Sequence, residues 1–521
     1  MGLPNVSFTL GKGGLGRSPQ SFDSYSSMIA YYSAASAISA YATIGNKVYN
    51  SIVDAEADGI VDTCAEATGA SVIETVTNKG ATGDIVVLSF TSYDGTVIEL
   101  CNYTTVSGDS TVTLLATSLV AAINANTYLH GFSAVVGLSG AYTVTAPKTL
   151  GIYPNSKSIT YTITGTVAIT TGTFSAGTKS WLKIWHYQIS EYFRGALFQR
   201  TSAPLYFSIK FDNTANNVTA FNTQLKSDIA SVAAAWNGNA RQTAILANGR
   251  AFATSTLDAV KVARTALFAL YTPAEFFVIA DNSATALGSL ANLSALSDDG
   301  VSFITAQSAS GVGLEVARTQ IQANGCIGLA LGIEAACAPS QSLAEVGAFN
   351  VSDGTECELI EFLNLVTWEN TAVGLRDQLN DYGYIFLRKF ANATGTYLSN
   401  SICAVSPSSD YRKIEHNKTI NKAVRNVYAS ILPLLNSRIT LNANGTMSKQ
   451  AIAGFQAAAG YPLTQMFVDG DLSVDPVTVG GVIVSETEVV STSGKVPITI
   501  KLVPIGIAEE INITIGYVAS M

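Results

Sequence analysis

The chain of 521 residues is short of charged side chains and of the residue types that build catalytic or metal centres. Charged residues make up 13% of the sequence, about half the usual share of roughly 25% in a soluble domain. There are three histidines, and the six cysteines form no C-x-x-C pair, so neither a metal site nor a disulfide framework is expected. A chain with so little charge and no membrane segment is expected to bury much of its surface against other protein chains.

The sequence also lacks a long hydrophobic run. Its most apolar early stretch, residues 28–43, is too short and too rich in hydroxyl groups to span a bilayer, and it has no basic region of the kind that precedes a signal peptide core. We therefore expect a protein made in the cytoplasm, without membrane insertion. A net charge of −9 argues against general nucleic-acid binding.

The opening residues contain GKGGLG, in which Gly11, Gly13 and Gly16 satisfy the G-x-G-x-x-G pattern of dinucleotide sites. That pattern binds a pyrophosphate only where a helix leaves the glycines, and here Pro19 and several serines oppose a helix. We interpret the glycines as a flexible hinge, with no cofactor bound. The alternating stretch before them is predicted to be a strand whose apolar face carries Val6, Phe8 and Leu10.

The rest of the chain divides into regions that differ in composition and in hydrophobic pattern. Small and aromatic residues favour a helical stretch and a short connection over 21–64. Alternating β-branched segments, among them 84–90, 95–103 and 141–146, around one helix (113–126) predict a mostly-β insert over 65–177. Strand and helix patterns then alternate over 178–400, which predicts an α/β domain with a largely parallel sheet. The predicted strands are 204–211, 241–248, 275–281 and 382–390, and the predicted helices are 227–238, 255–270 and 311–337. We therefore predict five regions: an N-terminal strand arm and glycine hinge (1–20), a short N-terminal part of the core (21–64), the insert (65–177), the α/β domain (178–400) and a C-terminal region (401–521).

The last region combines an amphipathic helix with strand-like segments. Residues 418–439 carry an apolar stripe, and on the other side Lys418, Lys422 and Arg425 form one basic face. Three strands are predicted at 481–491, 495–506 and 509–519. The last of them alternates Ile511, Ile513, Ile515 and Tyr517, so that a strand arm is predicted at each end of the chain.

No catalytic constellation is recognisable. His130, His186 and His416 have no motif partner, Asp298 and Asp299 suggest a loop, and no G-x-S-x-G sequence is present. A cluster of aromatic residues could be a platform for a sugar or a base, but packing in a core or domain interface is the preferred interpretation; it comprises Trp181, Trp185, Tyr187, Tyr192 and Phe193. We predict that the protein is not an enzyme and holds no metal.

Five segments carry a resemblance to a known family: residues 3–16 (LPNVSFTLGKGGLG), 343–354 (LAEVGAFNVSDG), 382–401, 410–439 and 496–517. In these the chain resembles the sheath subunits of contractile phage tails and related injection systems, in a divergent branch. The resemblance implies an α+β multidomain protein with a tail-sheath-like inner α/β core. It further implies extended terminal β arms, a central α/β domain and an outward, mostly-β insertion.

The resemblance also implies a function. Sheath subunits polymerise with themselves around an inner tube protein, contact baseplate and terminator proteins, and contract to drive the tube through a target envelope. They belong to the virion tail or a similar particle assembled in the bacterial cytoplasm. On this basis the two terminal strands are predicted to pair with neighbouring subunits, and the basic face of the 418–439 helix is predicted to face the tube. Two alternatives stay open: a surface adhesin or decoration protein of a virion, and an unrecognised α/β enzyme.

Overall fold

The computed structural model describes residues 22–33, 41, 44–199, 203–511 and 513. Its strands are β1 Ser26–Tyr32, β2 Asn46–Tyr49, β3 Ser71–Asn78, β4 Ile85–Thr91, β5 Val97–Thr104, β6 Ser133–Val136, β7 Ala141–Thr145, β8 Thr160–Thr164, β9 Ala168–Thr170, β10 Leu205–Phe211, β11 Gln242–Ala251, β12 Glu275–Asp281, β13 Ser297–Asp298, β14 Val301–Ile304, β15 Ala306–Ser308, β16 Ile360–Phe362, β17 Tyr384–Ile385, β18 Leu387–Arg388, β19 Tyr397–Leu398, β20 Ala404–Val405, β21 Val482–Val484 and β22 Ile498–Ile500.

The α-helices of the described residues are α1 Ile52–Ala57, α2 Val112–Ala125, α3 Thr127–His130, α4 Trp181–Ala196, α5 Val218–Ala235, α6 Thr254–Ala269, α7 Gly311–Thr319, α8 Ile327–Ala336, α9 Val373–Asp381, α10 Ile414–Ile431, α11 Lys449–Val468 and α12 Val490–Ser493. Short 3₁₀ turns lie between some of them, at Phe22–Ser24, Lys148–Leu150, Leu197–Gln199, Leu287–Ser289, Leu293–Ala295 and Leu432–Leu434.

A seven-stranded sheet forms the centre of the α/β domain, in the order β17-β14-β12-β11-β1-β10-β2. All neighbouring pairs are parallel except β10 and β2. Taken in chain order, the parallel strands run 2-1-3-4-5-6 across the sheet, which is a doubly wound arrangement. Parallel strands of this kind are covered on both faces, so every residue of β1 is buried.

Helices cover both faces of this sheet, as adjacent residues of β1 show. The side chain of Tyr31 contacts Phe221 on α5, with a ring-centroid distance of 5.0 Å, whereas Tyr32 contacts Trp185 on α4 at 6.0 Å. Successive side chains of a strand point to opposite faces, so α5 and α4 lie on opposite sides of the sheet. Helix α8 packs between α4 and the strands.

The helical stretch predicted from residue 22 is wrong. Residues 26–32 form β1, which pairs with β10 on one side and β11 on the other. A strand buried on both faces has a continuous apolar run with no period of two, and such a run cannot be told from a buried helix by periodicity. The helix predicted over 311–337 is likewise two helices, broken around Gly325, whose φ is +70°. Of the other two helices predicted in this domain, α5 begins earlier than predicted and α6 begins close to the predicted residue.

The insert has a hydrophobic core of its own. A four-stranded sheet in the order β6-β7-β3-β9 and a three-stranded sheet in the order β5-β4-β8 enclose α2 and a cluster of buried side chains between residues 70 and 174. This cluster is separate from the core of the α/β domain. Its strands include those predicted at 84–90, 95–103 and 141–146.

The C-terminal unit consists of α10, α11 and the hairpin of β21 and β22, with two small hydrophobic clusters drawn from residues 423–502. Helix α10 begins at Ile414 and passes into a 3₁₀ turn around Pro433, where the sequence predicts a loosened end. Helix α11 has no counterpart among the sequence predictions, and it contains Pro462 in its interior. The three predicted terminal strands are shorter or absent: the described residues 509–511 and 513 are not in a strand.

Candidate assembly site

Helix α10 lies in the structure with its polar side turned inward. Five polar residues on it are no more than 2% exposed, namely Glu415, Asn417, Lys418, Thr419 and Asn421. They face the amino-terminal end of the parallel strands, where Glu275 of β12 accepts a hydrogen bond from the Asn421 amide at 2.6 Å. An amphipathic helix normally buries its apolar face, so the orientation of α10 is the reverse of the usual one.

The innermost cation of this face is Lys418. Its Nζ donates to the carbonyl oxygens of Glu334 and Cys337 at 2.7 and 3.1 Å, and it lies 3.2 Å from the Glu334 carboxylate. Burial raises the pKa of Glu334 to about 7, an effect that the Lys418 ammonium opposes. Lys418 is therefore a neutralising partner inside the chain.

Lys422 and Arg425 are also paired within the chain. Lys422 Nζ lies 2.7 Å from Asp471 and 3.1 Å from Asp23, and Arg425 contacts Asp23 at 3.4 Å and donates to the Pro273 carbonyl at 3.1 Å. Burial lowers the pKa of Arg425 to about 9. The sequence predicts that this basic face is turned to the tube. In the subunit all three cations are paired with acids of the same chain, Lys418 buried and Lys422 and Arg425 half-buried.

The apolar stripe of α10 lines a cleft instead. Ile420, Val424 and Ile431 are only partly buried, and they face a cleft of about 3190 Å³ between the α/β domain and the C-terminal unit. Aliphatic residues of β22 and the segment after it also line the cleft, including Ile500, Leu502, Ile505 and Ile507, and the α/β domain contributes Trp368 and Phe386. A cleft of this size with an apolar stripe along it is typical of a docking surface for another protein segment.

The C-terminal segment runs along this cleft. The carboxylate of Glu509 forms an ion pair with Lys413 at the start of α10, and the Lys413 ammonium also donates to the Asn400 side chain at 3.0 Å. Beyond this ion pair, Ile511 and Ile513 are each 77% exposed. Ile515 and Tyr517 lie outside the described residues, as do Val6, Phe8 and Leu10 of the N-terminal arm and Gly11, Gly13 and Gly16 of its hinge.

Two guanidinium groups line the cleft near Lys413. Nη1 of Arg412 and Nε of Arg388 are buried atoms with no hydrogen-bond partner among the described residues. Burial lowers the pKa of both side chains, while Asp381 and Asp377 respectively oppose that effect. The guanidinium groups of Arg412 and Arg388 could therefore donate hydrogen bonds to a carboxylate bound at this end of the cleft.

The residues considered for enzymatic chemistry have local structural partners. His130 contacts the Leu100 carbonyl at 3.1 Å and accepts from the Phe132 amide, and His186 pairs with Glu56 at 2.9 Å; His416 lines the cleft. The aromatic cluster packs in the core of the α/β domain, where Trp181 and Trp185 are at most 1% exposed. Phe193 packs against that core while partly buried.

Where the sequence suggests a loop, Asp298 is the last residue of β13 and Asp299 lies in the turn after it. Asp298 is buried in β13, and burial, together with the neighbouring Asp258, raises its pKa to about 7. Asp299 forms ion pairs with Lys261 and Arg264.

In the part of the chain that the structure describes, no group of three histidine, cysteine or acidic side chains is placed to hold a metal ion, and no helix is both long and apolar enough to cross a membrane.

Comparison with known proteins gives one family match and several similar structures. Residues 410–521 match the family described as DUF2586, C-terminal domain, and no curated protein shows a significant match. The structure is similar to the anti-feeding prophage baseplate, with 14% identity, a TM-score of 0.42, and coverage of 64% of this chain and 80% of that one. The sheath tail protein Lin1278 of Listeria innocua shows 8% identity and a TM-score of 0.42, over 93% and 92% of the chains.

A third similar structure is the sheath tail protein DSY3957 of Desulfitobacterium hafniense, with 10% identity, a TM-score of 0.40 and 96% of each chain covered. The matched C-terminal family includes α10 and the part of the cleft lining that lies after residue 410.

Proposed function

We propose that the chain is a structural subunit of a contractile tail sheath, which polymerises through its C-terminal unit around an inner tube. The observation that carries this is the cleft along the apolar stripe of α10, together with the exposed Ile511 and Ile513 beyond it. Exposed isoleucines such as these are a liability in a monomer, and pairing with a neighbouring subunit removes that liability. The sequence resemblance to sheath subunits over five segments supports the same function.

In this assembly the arm carrying Ile511, Ile513, Ile515 and Tyr517 leaves its own subunit and enters the cleft of the next one. Glu509 then pairs with Lys413 of the neighbour instead of with Lys413 of its own chain. The N-terminal strand of Val6, Phe8 and Leu10, moving on Gly11, Gly13 and Gly16, makes a second connection. Contraction would turn subunits while these strand pairings persist, and the glycines allow that change of backbone angles at little cost.

The insert at 65–177 lies outward from this connected layer and decorates the surface of the sheath. Its separate core supports this position, since a unit with its own buried cluster can be added to a sheath subunit without rebuilding the α/β domain. The partners of the whole protein are other copies of itself, the inner tube protein, and baseplate and terminator proteins. No residue is assigned to the tube surface, because Lys418, Lys422 and Arg425 are engaged inside the subunit.

A charge exchange between two chains tests whether the arm pairs across subunits. Lys413→Glu alone and Glu509→Lys alone each place like charges at the contact, so we expect either chain by itself to form few or no extended assemblies. An equal mixture should recover assembly, because the arm of each variant then meets a cleft of opposite charge in the other variant. Negative-stain electron microscopy and sedimentation measure the recovery.

The controls separate failure of the contact from failure of the proposed function. Lys449→Glu makes the same charge change at an exposed site on α11 and should assemble like the natural chain. If the natural chain does not polymerise, the sheath function is wrong. If it polymerises but the mixture stays defective while the double variant Lys413→Glu, Glu509→Lys assembles, the pairing is internal to each subunit and the exchange of arms is wrong.

A further inference from the structure

The hydrophobic core of the α/β domain and the core of the C-terminal unit are distinct. The large cluster extends from Met28 to Ile414 and includes no residue beyond the start of α10. The clusters of the C-terminal unit contain only residues between 423 and 502. The two bodies therefore meet at α10 without a shared apolar core.

Besides the stacked rings of Tyr271 and Tyr428, whose centroids lie 4.0 Å apart, they are joined by a layer of buried and half-buried polar and charged groups, here called the charge layer. On α10 it comprises Glu415, Asn417, Lys418, Thr419, Asn421, Lys422 and Arg425. On the α/β side it comprises Asp23, Glu275, Glu334, Ser401 and the carbonyl oxygens of Pro273, Cys337 and Pro339. Asp471, from the C-terminal unit itself, completes the contacts of Lys422.

Such a layer specifies one docked arrangement while contributing little net stability. Removing charges from water costs several kcal/mol for each ion, and the attraction between partners roughly offsets that cost. The offset is incomplete here, because Oε2 of Glu334 and Oε1 of Glu415 are buried with no hydrogen-bond partner. When the two surfaces part, these polar groups can be hydrated, and the apolar groups newly exposed are few, among them Cys337, Cys403 and the facing rings of Tyr271 and Tyr428.

We propose that the C-terminal unit, including α10 beyond Ile414, separates from the α/β domain as one body, through reversible opening of the charge layer about Ile414, while both hydrophobic cores stay intact. The joint is a built-in hinge of the subunit. It would open in the same way whether or not the chain forms a sheath.

Two natural cysteines report on this opening. Cys337 is 4% exposed and its carbonyl accepts from Lys418, and Cys403 is fully buried with its sulfur 3.4 Å from the Asn417 amide. Cys326 is buried in the same cluster as Cys337 and Cys403 but lies near Glu191 and Arg194 of α4, and Cys101 is buried in the core of the insert. Burial raises the pKa of all four thiols, so their intrinsic reactivities change in the same direction.

Alkylation of the native chain, with mass spectrometry of each cysteine over time, tests the hinge. We expect Cys337 and Cys403 to react at similar rates and at least tenfold faster than Cys326 and Cys101. Replacing one ion pair by apolar side chains, Lys418→Met with Glu334→Leu, should slow the first two thiols about tenfold and leave the control thiols unchanged.

A second variant keeps the test decisive if the double variant does not fold. Asp23→Asn weakens the contacts of Lys422 and Arg425 and should raise the rates of Cys337 and Cys403 about tenfold, without affecting Cys326 or Cys101. The hinge is wrong if all four thiols of the natural chain react at one rate, since only global unfolding would then expose them. It is equally wrong if Asp23→Asn accelerates all four alike.

Discussion

Gly332→Ala is expected to destabilise the α/β domain by about 3 kcal/mol, although it adds a single methyl group. Helices α4 and α8 cross at glycines, so that their backbones are in direct contact. A β-carbon at Gly332 would lie inside van der Waals contact with the Tyr192 carbonyl oxygen, and one at Gly328 would meet the Gln188 carbonyl. From the other helix, a β-carbon at Gly195 would lie 2.7 Å from the Leu329 carbonyl oxygen.

The obstacle at Gly332 is backbone on a facing helix, which cannot rotate away as a side chain can. The helices must move apart, and the core around Trp185 and Ile333 then loses contact. Urea unfolding of the purified chain measures the loss. The control is Gly454→Ala on α11, where the added methyl group meets nothing within 4 Å and should stabilise the helix by up to about 1 kcal/mol. Equal effects of the two substitutions would contradict the close crossing of α4 and α8.

The insert is expected to lose about 3 kcal/mol of stability as the pH rises from 4 to 8, through one buried carboxyl group. Glu74 points inward from β3 and is fully buried, where the Gly172 amide donates to it at 3.3 Å. Burial raises its pKa to about 7, and hydrogen bonds from Tyr161, Thr171 and the Gly172 amide reduce the shift. The Tyr142 hydroxyl lies 3.0 Å from that of Tyr161.

The sign follows from proton binding. With a raised pKa, the folded insert holds a proton that the unfolded chain releases above a pH of about 4, so this stability is complete below that pH and is lost as the pH rises to about 7. Glu74→Gln stays neutral and should remove this part of the pH dependence. Urea unfolding at pH 5 and pH 8, with pulsed hydrogen exchange over 70–174, compares the two chains. Parallel loss in both chains would show that Glu74 is not the group responsible.

Much of the α/β domain is predictable from the sequence, because the patterns that mark its helices and several of its strands are local. The strand at 275–281 has the predicted bounds, and α6 begins one residue before the predicted 255. The central strand β1 is different: residues 28–32 are apolar throughout because both of their faces are covered by helices that lie more than 100 residues away in sequence. The local periodicity of β1 therefore does not reveal that both of its faces are buried.

The orientation of α10 could not be predicted from the helix alone. Its periodicity correctly separates an apolar stripe from a basic face, and the usual rule buries the apolar one. The basic face is buried because its partners are Asp23, Glu334 and Asp471, which come from three distant parts of the chain. The signal in the sequence is the excess of 38 acidic residues over 29 lysine and arginine residues, which leaves acids available as partners for each cation.

Negative-stain electron microscopy of the purified natural chain, over a range of protein concentrations, tests the central claim most directly. The account predicts rings or tubes of uniform diameter, which disappear when residues 508–521 are removed while the truncated chain stays folded. A natural chain that remains monomeric at every concentration, alone and with its inner tube protein, would contradict it.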